Sequence, residues 1–157
     1  MLTGRSLARE RGFTLIELLI VVAVLAILLG LALPSFSGLR RNAQDRAAQA
    51  SLLTAEKLAH SIALESGEFP GTDDAVALLR TLEPAYTWND HGVASTGPNV
   101  LSVDEDEGRR ELNFAALSES GTCFFLRVVI DGETVRHKEL EGDCDSHEFQ
   151  DQPGSGW

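Results

Sequence analysis

An almost uncharged apolar segment near the start of the sequence constrains the fold more than any other feature. From Phe13 to Leu33 the chain runs for 21 residues with one charged side chain, Glu17. An α-helix of this length, at about 1.5 Å per residue, is long enough to cross a hydrocarbon core of about 30 Å. Residues 1–12 carry three arginines against one acid, a balance typical of a cytoplasmic flank. The sequence therefore predicts a single-pass membrane helix with the rest of the chain outside the cytoplasm.

Glu17 lies where an ordinary membrane anchor has no reason to place a charge. A carboxylate in a lipid-exposed helix costs on the order of 2.5–3.5 kcal/mol near the centre and less near an end, so it usually has a partner. A conventional signal peptide has a shorter apolar region that ends in a small-residue cleavage site, and Leu33-Pro34-Ser35 matches such a site weakly. Cleavage between Gly12 and Phe13 would supply the partner, because Phe13 would gain a protonated α-amino group. Pairing Glu17 with that group on a neighbouring copy would set the register of stacked helices.

The segment Arg11-Gly12-Phe13-Thr14-Leu15-Ile16-Glu17 resembles the leader junction of type IV prepilins and pseudopilins. The resemblance implies that residues 1–12 are a leader, that a prepilin peptidase cleaves after Gly12, and that the new N-terminus, Phe13, is methylated. It also implies that Glu17 is the register residue of the assembled filament.

The same resemblance has consequences for the helix and for its partners. Gly30 and Pro34 correspond to positions at which such helices loosen in a filament, although Pro34 would also kink a helix by removing one backbone donor. The implied partners are further copies in a helical filament, the prepilin peptidase, a pilus assembly platform and minor pilins, with the membrane holding the precursor. No cofactor is implied.

Helical character continues beyond the membrane-length segment. Residues 39–66 contain no proline and no glycine, and their apolar residues recur at spacings of three or four. The predicted stripe consists of Ala48, Leu52, Ala55, Ala59 and Ile62. Residues 13–66 are therefore predicted to form one long helix, residues 13–33 being apolar all round and residues 39–66 amphipathic.

Residues 67–157 are predicted to form a globular head. The turn at residues 67–71 ends the long helix, a short helix capped by Thr72 follows through Leu82, and residues 86–99 are predicted as loop with at most one short strand. Strand-like runs follow at residues 100–103, 111–117, 122–130 and 133–139. Asp131-Gly132 predicts a two-residue hairpin that pairs Val128 with Val135. The predicted fold class is α+β, a pilin-like lollipop in which the long helix packs on an antiparallel sheet of three or four strands.

The two cysteines and the net charge indicate properties of the part of the chain that is predicted to be exported. If the head is exported, Cys123 and Cys144 are predicted to form a disulfide, which the resemblance places at the C-terminal loop. Closing a loop of about 22 residues would contribute roughly 3 kcal/mol. From Arg40 onward the chain carries 10 basic and 22 acidic residues, so its net charge near −12 disfavours direct nucleic-acid binding. Residues 150–157 are predicted to be mobile, with no core for Trp157 to join.

Catalytic and metal-site signals are weak. The four histidines are scattered without a recognised catalytic or zinc spacing, so no catalytic residue, no enzyme activity and no metal site is predicted. The acidic run Asp104-Glu105-Asp106-Glu107 is interpreted as a solvated turn, with calcium binding as the alternative.

The predicted function is a structural subunit of a type IV pilus-like filament. The alternatives are a type II secretion pseudopilin or a minor pilin for DNA uptake or adhesion and, in another class, a membrane-anchored adhesive or DNA-binding head.

Overall fold

The computed structural model describes residues 12–106, 108, 110–140, 142–149, 154 and 156–157, with the side chains of residues 32–35 and 148 left aside. The chain divides into two compact units, Met1–Leu39 and Arg40–Trp157. The second unit contains a helix packed on a sheet, which confirms the predicted α+β class.

Helix α1 runs from Leu15 to Ser66, as predicted within two residues. It ends at Gly67, which has a φ of 75° and donates its N–H to Ala63 O at 2.9 Å. No single described helix meets the length and apolarity requirements for a membrane span. The successive segments Leu15–Leu31 and Phe36–Ser66 meet them only when they are taken together. Membrane insertion of residues 13–33 therefore stays a prediction.

The second half of α1 buries the stripe that the sequence predicts. Its members are at most 5% exposed and are Ala48, Leu52, Ala55, Ala59 and Ile62. They belong to one core cluster with alternate residues of the sheet, among them Phe124, Leu126 and Val128. The stripe combines three small alanines with Leu52 and Ile62, and larger sheet residues such as Phe124 fill the core beside them.

Helix α2, Thr72–Leu82, has the predicted bounds but a different cap. Gly71 is the N-cap residue and no side chain caps the helix, so the prediction of Thr72 as the cap was wrong. Thr72 Oγ1 instead accepts a hydrogen bond from the N–H of Glu105 at 3.1 Å. The hydroxyl thus joins α2 to the sheet rather than closing the helix terminus.

In the described part of the chain, five strands form one sheet in sequence order, one more than the upper predicted count. They are β1 Thr87–Asn89, β2 Val100–Glu105, β3 Glu111–Leu117, β4 Cys123–Val129 and β5 Val135–Glu139. The extra strand, β1, pairs parallel to β2 with Asn89 opposite Ser102, whereas the other pairs are antiparallel. The antiparallel meander predicted from the sequence is correct for β2 to β5 only. Trp88 in β1 is fully buried.

The β4–β5 connection differs from the predicted two-residue hairpin. Val135 pairs with Arg127, not with Val128, and the turn is closed by Gly132 N–H donating to Val129 O at 3.3 Å. Of the two central residues only Asp131 has a positive φ, 58°, whereas a type I′ turn needs two. The loop is therefore longer, and the register shifts by one residue.

The sheet face opposite α1 is also covered. Ala115, Cys123 and Phe125 form a second cluster with Cys144 and Phe149. A short 3₁₀ helix η1, Ser146–Phe149, supplies Phe149. The predicted disulfide between Cys123 and Cys144 is confirmed, with their Cα atoms 5.5 Å apart, and it ties this covering segment to the start of β4.

The free edge of β5 is covered by residues near the end of the chain. Gly156 N–H donates to Arg136 O at 2.9 Å. Trp157 Nε1–H donates to Phe125 O at 3.1 Å, and the Arg136 guanidinium lies 5.3 Å from the centre of the Trp157 ring. The prediction that Trp157 has no core to join was wrong, because its partners lie about 20 to 30 residues away in sequence.

Candidate functional site

Thr14 and Glu17 close the first turn of α1 through reciprocal hydrogen bonds. Glu17 Oε2 accepts the backbone N–H of Thr14 at 2.9 Å and its hydroxyl at 2.8 Å. Thr14 Oγ1 accepts the backbone N–H of Glu17 at 3.3 Å. This capping box satisfies two N–H groups that the first turn would leave without helical acceptors. The Thr-x-x-Glu signal was present in the sequence but was not used in predicting the role of Glu17.

The apolar helix behind the cap has no covering partner in the described chain. The large apolar side chains from Phe13 to Leu31 are 47–83% exposed and occupy all faces of the helix. Burying an average side chain of this kind contributes roughly 1.5–3 kcal/mol. A helix that is apolar all round is typical of a membrane span or of the core of a larger assembly.

The other residues predicted to function in this segment lie just before α1 or within it. Gly12 and Phe13 precede α1 and are exposed. Gly30 lies within α1, and a Cβ added there would meet nothing within 4 Å, so packing within the chain does not require a glycine. Pro34 is assigned to the helix, but its side chain, like leader residues 1–11, lies outside the described residues. Cleavage, methylation, register and helix loosening stay predictions.

A second polar site lies in the head and was missed by the sequence analysis. His91 Nδ1 lies 2.8 Å from Asp104 Oδ1, and His147 Nδ1 lies 3.1 Å from Asp104 Oδ2. The two rings meet edge to face with their centres 4.7 Å apart. We call these three residues the His–Asp–His cluster. Its carboxylate is 3% exposed, whereas the imidazoles are 56% and 54% exposed.

The parallel pairing of β1 and β2 brings His91 to Asp104. Asn89 pairs with Ser102, so residues two positions further along each chain lie side by side. The third member arrives with η1, because Ser102 Oγ lies 2.9 Å from Ser146 Oγ and accepts the Ser146 N–H at 3.1 Å. Sequence separations of 13 and 43 residues hid the cluster, since the parallel pairing was not predicted.

The Asp104 carboxylate changes the acid–base behaviour of His91. Its hydrogen bond and its charge raise the pKa of His91 above the usual value, against a smaller opposing effect of desolvation. The charges of Asp145 and Asp90 raise this pKa further.

The acidic run after Val103 is not a solvated turn throughout. Strand β2 continues to Glu105, two residues beyond the prediction, and Asp104 is buried beneath the two histidines. Asp106 follows the strand, and Glu107 lies outside the described residues. Calcium binding by the full run, the alternative to a solvated turn, is not tested by these residues.

Comparison with known proteins decides the family. The profile of the prokaryotic N-terminal methylation motif matches residues 7–33. The type IV wide pilus major component PilA4 of Thermus thermophilus is 35% identical over 115 residues, which are 73% of this chain and 79% of that protein. The chain belongs to the type IV pilin and pseudopilin family.

Type II secretion proteins are also similar to this pilin-family chain. Type II secretion system core protein G of Aeromonas hydrophila is 28% identical over 146 residues, covering 90% of this chain and 97% of that protein. Core protein G of Pectobacterium carotovorum is 30% identical over 78 residues, half of each chain. The chain likewise spans about half the length of the Dickeya and Klebsiella core proteins G that it matches, 46% and 51%. No solved structure matches the chain.

Proposed function

We propose that this chain is a structural subunit of a type IV pilus-like filament. A prepilin peptidase removes residues 1–12 and methylates Phe13, and residues 13–33 hold the precursor in the cytoplasmic membrane with the head outside. Copies then polymerise by burying these residues against one another, aided by an assembly platform and minor pilins. The observation that carries the proposal is the uncovered helix of residues 15–31, apolar except for Glu17, which lies within the matched methylation motif.

The capping box supports a specific role for Glu17 in this process. The carboxylate already binds the N–H of Thr14, which directly follows Phe13 in sequence. Cleavage after Gly12 would create a cationic amine on the residue next to that hydrogen bond. A neighbouring copy's amine would compete with Thr14 for the same carboxylate, and its positive charge would make it the stronger partner.

A pseudopilin of a type II secretion system is the second candidate. The alignment with the Aeromonas core protein G covers 97% of that protein, so the similarity extends through the head as well as the stem. The two candidates share processing and polymerisation. They differ in whether the filament reaches the cell surface or serves secretion from within the envelope. An adhesive or DNA-binding head is the candidate from another class, and we propose no catalytic role.

Intact mass of the chain purified from membranes tests processing. The mature protein should lack the twelve residues Met1–Gly12 and carry one added methyl group on Phe13. Gly12→Val should retain the full-length mass, because the family motif has the peptidase cleave after a glycine. A wild-type chain that keeps residues 1–12 would rule out the pilin proposal.

Two substitutions separate the charge of Glu17 from its capping role. Glu17→Gln retains an oxygen acceptor for Thr14 but removes the negative charge, whereas Thr14→Ala removes the capping hydroxyl and leaves the charge. We expect both variants to be processed, but only Thr14→Ala to yield sheared or periplasmic filaments in near wild-type amounts. Normal filaments from Glu17→Gln would refute the register role.

The location of the filaments and the effect of deleting the gene separate the candidate functions. Filaments on the surface favour a pilus, and loss of protein secretion on deletion favours a pseudopilus. A head that binds its ligand saturably, with filaments dispensable, would favour the binding module.

A further inference from the structure

We propose that the His–Asp–His cluster of His91, Asp104 and His147 binds a divalent transition-metal ion, with zinc as the expected occupant. Each residue offers one ligand atom, and the three atoms lie within 4.8 Å of one another. Two imidazole nitrogens and one carboxylate oxygen form a donor set that suits zinc, copper, nickel or iron better than calcium or magnesium.

The distances fit a metal ion after a small movement. Tetrahedral zinc with bonds of about 2.0–2.2 Å places its ligand atoms roughly 3.3 Å apart. The two Nδ1 atoms lie 2.8 and 3.1 Å from the two different Asp104 oxygens, and the three ligand atoms lie within 4.8 Å of one another. Binding therefore lengthens the two hydrogen-bond distances by a few tenths of an ångström and brings the most widely separated pair of ligand atoms together by up to about 1.5 Å. Both imidazoles are more than half exposed, which leaves room for this movement and for water at the remaining coordination positions.

The protonation states are compatible with binding. A neutral imidazole whose Nδ1–H donates to Asp104 can move its proton to Nε2, which leaves the Nδ1 lone pair available to the metal ion. With neutral histidines the cluster retains one carboxylate charge that is 3% exposed. Because a charge acts more strongly in a low-dielectric setting than in water, this carboxylate would attract a cation.

The backbone around both histidines is fixed by neighbouring carboxylates. His91 N–H donates to Asp90 Oδ1 at 2.8 Å, and His147 N–H donates to Asp145 Oδ1 at 3.1 Å. The Asp145 oxygen also accepts the Ser102 hydroxyl at 3.1 Å, which anchors η1 to β2. The ligands therefore lie on segments whose positions are set before any ion arrives, and the extra carboxylates make the region attractive to a cation.

A bound ion would join three segments that are distant in sequence: the end of β1, the end of β2 and η1. The last of these lies just after Cys144, whose disulfide fixes the start of the same segment to β4. The metal ion and the disulfide would thus hold the segment covering the second sheet face at two points. Because the ion binds the folded head, it should raise the unfolding temperature in proportion to the logarithm of its free concentration.

Zinc chloride titrated into the metal-free full chain in detergent tests the proposal. Isothermal titration calorimetry at a pH above the His91 pKa should give one zinc per chain. Loss of a direct ligand should weaken binding by more than about 100-fold, beyond the effect of losing an outer partner. We expect this loss in His91→Gln and His147→Gln, while His60→Gln, an exposed histidine on α1, should bind as the wild type does.

Two further measurements keep the test decisive. Circular dichroism and the unfolding temperature without metal check that each variant is folded. If a variant is not folded, the wild-type protein is treated with a histidine-modifying reagent with and without zinc, and mass spectrometry measures the modification. Zinc should then protect His91 and His147 but not His60. Equal zinc binding by wild type and the double variant His91→Gln/His147→Gln would overturn the proposal. So would the absence of saturable zinc binding, which would leave a hydrogen-bonded cluster only. Tighter binding of calcium than of zinc would overturn it as well.

Discussion

Leu52→Ala should destabilise the head more than any neighbouring truncation on the exposed side of α1. Leu52 is fully buried in the core cluster that joins the helix to the sheet. Its neighbours on the stripe include Ala48 and Ala55, which have no side-chain rotamers that could move into the space left behind. Leucine-to-alanine truncations in cores cost about 2–5 kcal/mol, with the larger values where the site cannot collapse. We therefore expect a loss of about 3–4 kcal/mol.

The adjacent residue provides a matched control. Leu53 is 40% exposed, so Leu53→Ala removes the same atoms from the same helix with much less loss of burial. We expect a cost of about 1 kcal/mol or less. Both substitutions change helix propensity equally, and the difference between them isolates packing against the sheet.

Urea unfolding followed by tryptophan fluorescence measures both variants in the full chain in detergent. Trp88 is fully buried and should report loss of the core. With a slope of about 1.5–2 kcal/mol per molar urea, Leu52→Ala should lower the midpoint by about 2 M and Leu53→Ala by about 0.5 M or less. Equal shifts for the two variants, or a shift below about 0.5 M for Leu52→Ala, would refute the packing argument.

Two further predictions use the same unfolding assay. Replacing both Cys123 and Cys144 by serine should cost about 3 kcal/mol, because the crosslink restricts the unfolded chain; dithiothreitol should lower the wild-type midpoint similarly, and a reductant-insensitive wild type would contradict this. The ion pair of Arg136 Nη2 with Glu56 Oε2, 2.7 Å apart and partly exposed, should give a coupling of about 1 kcal/mol in a double-mutant cycle of Arg136→Gln and Glu56→Gln. This coupling should fall in high salt, and a salt-independent value would point to packing instead.

Local patterns in the sequence were sufficient to predict the helices and four of the strands. The stripe of α1 repeats every three or four residues, and β4 alternates strictly between faces, so both buried surfaces could be identified from spacing alone. The cysteine pair followed from the expectation of export. The helical stripe and the strand alternation depend on neighbours within one helical turn or one strand.

Features that depend on distant residues were missed or wrong. The parallel pairing of β1 with β2 requires a connection of about ten residues whose course the sequence does not specify, and without that pairing His91 and Asp104 could not be placed together. The β4–β5 register depends on which turn residue takes a positive φ. Trp157 finds its partners across the sheet, where glycine-rich composition suggested mobility. The composition of the last residues does not show which part of the sheet Trp157 contacts.

The hydrogen bond of Gly156 to the β5 edge bears on whether neighbouring copies at high density can pair their strands. An unpaired strand edge is a template on which another copy can add its own strand, and crowding along a polymer would favour that error. Here the Gly156 N–H occupies the Arg136 carbonyl, and the opposite edge strand, β1, is only three residues long. Among the described residues, one carbonyl on the β5 edge is therefore already taken, and the β1 edge is short. Both features reduce the number of backbone groups on which a second copy could add a strand.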